Sequence, residues 1–156
     1  MSEMTARPVP YIPALRGLYD DLAGWSYPVM RFFTGLFLVP HGAQKLFGAF
    51  GGEGIGATAA FFVKDGIEPA LFFAYVVACT EFFGGICLAL GFLTRPAAIA
   101  VMIEMAVAVI VVHLPHGFFW TKLGCEYPLL WGLLAFGIFC RGGGPRSIDN
   151  LIGREF

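Results

Sequence analysis

Glu81 and Glu104 are the residues of this chain whose positions most need a reason. Each carboxyl stands inside an apolar run, Glu81 in LFFAYVVACTEFFGGICLAL (71–90) and Glu104 in AAIAVMIEMAVAVIVVHL (97–114). About 20 apolar residues at ~1.5 Å each match the ~30 Å hydrocarbon core of a bilayer. An ionisable group at that depth costs at least ~2.5–3.5 kcal/mol, faces the bundle interior and has a partner. At ~1.5 Å per residue Glu81 sits about 18 Å from the outer end of its span, and Glu104 about 13 Å from the inner end of the next. The two carboxyls therefore share a level slightly inside the midplane.

Arg31 enters the preceding apolar segment from one end and is expected between the two carboxylates. There its planar fork can bond one carboxylate twice and reach the other. A second polar layer is expected near the opposite face. His41 and Lys45 are four apart and share a helix face, with Gln44 adjacent. His113, His116 and Glu126 reach the same side. Such a layer suits the binding of a ligand oxygen or the relay of protons. The candidate catalytic residues are thus Glu81, Glu104 and His41, and the candidate cofactor-binding residues Arg31, Gln44, Lys45 and Glu126. A plainer reading has Arg31 and Lys45 snorkelling to head groups and the glutamates forming ion pairs that hold helices together. No His/Glu spacing is diagnostic of a metal.

These residues must be placed by membrane helices. Of 156 residues, 58% are hydrophobic and 13% charged, where soluble domains carry about 25% charged residues. The net charge of −1 argues against a nucleic-acid partner. The expected fold is all-α, an integral membrane four-helix bundle. Its spans run near 27–47, 69–90, 97–114 and 127–140. Residues 1–26 read as a loose tail followed by a short interfacial helix from Pro13 to Ser26, 27–140 as the membrane domain, and 141–156 as a polar cytoplasmic tail. Pro28 opens span 1, and Pro40 is expected to kink it. Within 48–68, ATAAFF suits a short helix or re-entrant turn; GGEGIG lacks the Lys-Ser/Thr ending of a phosphate loop. Thr80, Gly84 and Gly85 are expected to let a neighbouring helix come close to Glu81.

Arg7, Arg16, Arg95, Arg141, Arg146 and Arg154 flank the N-terminus, the turn between spans 2 and 3, and the tail. Lys64 and Lys122 lie on the other loops. The positive-inside rule then puts both termini in the cytoplasm. Four cysteines form no CxxC and read as free thiols. The N-terminus shows no long apolar stretch followed by a small-residue cleavage site, so no removed signal peptide is expected.

Three stretches, RFFTGLFLVPHGAQKLFG (31–48), EFFGGICLALGFLTRPAA (81–98) and GGGPRSID (142–149), resemble the DoxX/DoxD-like membrane proteins. The resemblance covers about 25–150. It implies a multi-pass protein of the bacterial cytoplasmic (inner) membrane. Arg31, His41, Lys45, Glu81, Arg95 and Glu126 match polar positions of the family pattern, and Glu104 matches less clearly. Some relatives are subunits of a thiosulfate:quinone oxidoreductase; others associate with superoxide dismutase and a sulfurtransferase. The resemblance thus points to a quinone-linked oxidoreductase component of sulfur or oxidative-stress metabolism, with a quinone as cofactor. The chain carries no haem, flavin or iron–sulfur motif, so electrons would come from a partner protein or a reduced sulfur compound. Two other readings stand beside it: a non-catalytic anchor or assembly subunit, and a small-solute or proton conduit. The expected partners are the lipid bilayer, a soluble or membrane redox protein, and a second copy of the chain.

Overall fold

The computed structural model describes residues 8–156, which are helical with no strand among them. Six α-helices follow in order: α1 Arg16–Phe47, α2 Gly54–Lys64, α3 Ala70–Leu90, α4 Thr94–His116, α5 Glu126–Arg141 and α6 Ile148–Ile152. Helices α3 and α4 are long and apolar enough to cross a membrane. The segment Pro13–Phe47 passes the same test together with Ala49–Lys64, the two being bent by 95°. Gly48, at φ 66°, ends α1 in the left-handed conformation that glycine adopts without penalty.

The short interfacial helix expected over Pro13–Ser26 is not a separate element. A 3₁₀ turn at Pro13–Leu15 leads straight into α1, which continues through Pro28 and Pro40. The reason at Pro28 is visible. A proline inside a helix leaves the carbonyl four residues earlier without its donor. That carbonyl belongs to Gly24, and it accepts a hydrogen bond from the Arg146 guanidinium. Of the expected N-terminal tail, residues 1–7 lie outside the described residues.

The main core joins Tyr27 and Leu38 of α1, Leu88 of α3, Val101 and Met105 of α4, and Ala135 and Ile138 of α5. A smaller cluster of Phe62, Ala70 and Ala74 seats α2 on the start of α3. Large apolar side chains such as Phe72, Ile103, Leu133 and Phe136 face outward. Exposed apolar surface on that scale needs lipid rather than water around it.

Helix α1 lies against α3 along one face that carries Arg31, Gly35, Leu38, Gly42 and Lys45. Two close approaches lie along it: a Cβ at Gly35 would stand 2.3 Å from the Gly85 carbonyl oxygen, and one at Gly42 would stand 2.3 Å from the Phe82 backbone nitrogen. Gly85 thus permits the close contact expected near Glu81. Gly84 does not, since its nearest neighbours would be 3.8 Å away or more. Gly35→Val should lower stability by about 1–3 kcal/mol, because only separating the two backbones relieves the clash. Thermal unfolding in detergent checks this against Gly137→Ala. At Gly137 no atom lies within 4 Å of the added Cβ, and little should change.

Candidate functional site

Lys45 sits in the last turn of α1, where a cation complements the helix dipole. Glu81 sits in α3 on a π-helical turn, Thr80–Gly84, and is 7% exposed. The wider turn adds a residue to the helix and re-aims the side chains around it. Lys45 Nζ donates to Glu81 Oε2, tying α1 to α3. Glu104 comes from α4 and lies against Glu81. One Glu104 oxygen, Oε2, is buried with no hydrogen-bond partner among the described residues. A buried polar atom left unpaired typically costs about 1–3 kcal/mol. Phe47 and Phe82 stack edge to face beside the ion pair, with ring centroids 5.2 Å apart.

The expected bridge from Arg31 to the two glutamates does not form. Arg31 and Lys45 occupy the same face of α1 but are 14 positions apart, about 21 Å of helix. The α1–α3 crossing is antiparallel, so Arg31 meets the far end of α3 while Lys45 meets Glu81. Arg31 Nη1 donates to the carbonyls of Leu88 and Ala89, and Nη2 to that of Arg146. It therefore caps the last turn of α3, where carbonyls lack helical donors. Gly91, at φ 69°, makes room: a Cβ there would lie 2.6 Å from Arg31 Nη1.

The expected outer layer does not converge on one point either. Lys45 turns to Glu81. His41 is exposed and makes no hydrogen bond among the described residues. Gln44 Nε2 donates to the Phe50 carbonyl at 3.3 Å, in the turn that follows α1. Glu126 Oε2 accepts from the Trp120 backbone N–H at 3.2 Å, and His113 Nδ1 lies 2.6 Å from the Leu123 oxygen. His116 bonds back to Val112. Glu126 and His113 thus organise the connection between α4 and α5.

A second polar centre was not singled out in the sequence. Asp149 is 5% exposed. Its Oδ1 accepts from the Leu93 N–H at 2.8 Å, and its Oδ2 from the Thr94 N–H at 3.0 Å and the Thr94 hydroxyl at 2.6 Å. It clamps the start of α4 and holds Leu93 at a positive φ of 47°. The Asp149 N–H in turn donates to the Gly91 carbonyl at 2.9 Å. The C-terminal segment is therefore docked against the α3–α4 turn. The available signal was the GGGPRSID string, whose Ser147 caps α6 by accepting from the Asn150 N–H.

A family model described as DoxX matches residues 28–114. The chain belongs to the DoxX family. The matched stretch holds α2, α3, nearly all of α4 and the part of α1 that carries Arg31, His41 and Lys45. It therefore contains all three members of the Lys45–Glu81–Glu104 cluster. Glu126 and Asp149 lie beyond it. No curated protein and no solved structure matches the chain.

Proposed function

We propose that this DoxX protein is a quinone-linked component of a membrane oxidoreductase, with Lys45, Glu81 and Glu104 as its working residues. The observation that carries the reading is the buried, unpartnered Oε2 of Glu104 beside the Lys45–Glu81 pair. A cluster with one unsatisfied oxygen is poorly suited to structure alone, and well suited to exchanging a proton with a guest. The donor set fits a quinone. A quinone carbonyl needs an N–H, and the Lys45 ammonium has three, of which Glu81 takes one. The Lys45 side chain is 27% exposed, so a ligand entering from the lipid side would reach it. Phe47 and Phe82 would offer the ring an apolar surface. A bound quinone would supply two-electron, two-proton redox chemistry. Lys45 would orient it, and the two carboxyls would hold and pass protons. The electrons would come from a partner protein or a reduced sulfur compound. In this reading α1, α3, α4 and α5 are four spans of a bacterial inner-membrane bundle with both termini in the cytoplasm.

Mass spectrometry of the lipid and quinone extract of purified protein tests the reading. Wild type should retain quinone. Lys45→Met and Glu81→Gln should reduce it by about tenfold, the effect of losing a hydrogen bond to a charged group. His41→Ala should leave it unchanged. No retained quinone in wild type, or equal retention in all variants, would reject the reading. The anchoring role would then take its place, supported by the exposed Phe118, Phe119, Trp120 and Leu123 of the α4–α5 connection.

A further inference from the structure

A groove of about 370 Å³ runs between the first half of α1 and the end of α3, well away from the Lys45 cluster. Its volume lies within the ~300–1,000 Å³ of ordinary ligand clefts. Trp25 and Arg146 stand in its lining, and Val29, Phe32 and Leu90 give it apolar walls. Arg31 contributes to the lining with an Nε that is buried and lacks a hydrogen-bond partner among the described residues. Two guanidinium groups therefore border one groove, and no acidic side chain among the described residues lines it.

The arrangement has a polarity. Arg146 is exposed and stacks over the Trp25 ring, its Cζ 3.9 Å from the ring centroid. One of its N–H groups goes to the Gly24 carbonyl, leaving others to donate. Tryptophan and arginine are side chains that settle at the head-group level of a bilayer. Val29, Phe32 and Leu90 are 46%, 40% and 49% exposed, so this wall is open to lipid. A cationic rim above an apolar wall open to lipid matches a molecule with an anionic head and a hydrocarbon tail.

We infer that this groove binds one anionic phospholipid, its phosphate on Arg146 and an acyl chain along Val29, Phe32 and Leu90. Guanidinium N–H groups bond phosphate oxygens directly, and charge selects the lipid class. The lipid would bridge α1 to the end of α3 at the place where Pro28 has opened the helix backbone. The site is independent of the quinone reading and stands if that reading fails.

Native mass spectrometry of the full chain tests the assignment, with the protein released from detergent and titrated with phosphatidylglycerol or phosphatidylcholine. Wild type should favour phosphatidylglycerol by about fivefold, the order expected of one arginine at a membrane surface. Arg146→Gln should abolish the preference, and Arg146→Lys should restore most of it. Val29→Trp, which fills the groove and leaves Arg146 in place, should weaken both lipids. Equal affinity for the two lipids in wild type would overturn the inference, as would a preference that survives Arg146→Gln. Displacement of phosphatidylglycerol by millimolar inorganic phosphate would overturn it too, by marking a site for free phosphate. Should Arg146→Gln fail to fold, the Lys and Trp variants still decide.

Discussion

Asp149→Ala should be among the most damaging single substitutions in the C-terminal segment, lowering stability by about 3–5 kcal/mol. The aspartate accepts three hydrogen bonds, from two backbone N–H groups and one hydroxyl, at a site where it is 5% exposed. Hydrogen bonds to a charged group contribute about 1.5–3 kcal/mol each, and their sum is reduced because the three share one acceptor. Alanine leaves the half-buried Leu93 N–H and the buried Thr94 donors unmet. Leu93 would also lose the clamp on its positive φ, a conformation that costs a bulky residue free energy. Asn should fall between Asp and Ala, since its amide oxygen accepts without the charge. Thr94→Val removes one bond of the three and should cost about 1 kcal/mol. Apparent melting temperature in detergent orders the series, and limited proteolysis reports whether the C-terminal segment has come loose. A melting temperature for Asp149→Ala equal to wild type would mean that the segment is not held by this clamp.

Glu81→Leu is the second large effect, about 2–3 kcal/mol. Breaking a buried ion pair by removing one partner ordinarily costs about 3–5 kcal/mol, because the remaining charge is stranded. Lys45 is partly exposed and its stem can swing the ammonium outward, which brings the figure down. The sign of two companion variants separates pairing from simple packing. Lys45→Met combined with Glu81→Leu should recover most of the loss, as replacing both partners of a buried pair by apolar groups often does. Glu104→Leu should be neutral or stabilising on its own, because it removes a buried oxygen with no partner among the described residues. Glu53→Leu, in the connection between α1 and α2, serves as the reference. Thermal unfolding of the single and double variants gives the coupling directly. No difference between Glu81→Leu and Glu53→Leu would remove the ion pair from the account.

The helices were legible because their boundaries are chemical. Gly48 and Gly91 stop α1 and α3, Pro96 stands in the first turn of α4, and long apolar runs lie between. The coincidence of Glu81 and Glu104 was legible for the same reason, since helical rise converts position into depth. The partners of the cations were not. Arg31 bonds three backbone carbonyls, and a carbonyl has no signature in sequence. Which cation meets Glu81 depends on the stagger of α1 along α3, and that stagger is set by the contacts of Gly35 with Gly85 and of Gly42 with Phe82. Pro28 looked like a helix start because the residue that satisfies the Gly24 carbonyl is Arg146, more than a hundred positions away. Asp149 lay in a segment whose glycines and charges read as a free tail. Its role depends on a turn left by two spans, which only the folded chain supplies.

The π turn at Thr80–Gly84 fixes a count as well as a direction. Between the Gly85 contact with α1 and the ion pair at Glu81, the helix contains one residue more than an α-helical path would use. Keeping both features requires that extra residue, and a chain one residue shorter there gives up one of the two. Restoring the α-helical path turns everything on one side of the turn by ~100° relative to the other. A carboxylate moved that far around the helix leaves the lysine and faces lipid. Deleting a single residue in this stretch of the chain should therefore break either the Lys45–Glu81 pair or the Gly85 contact.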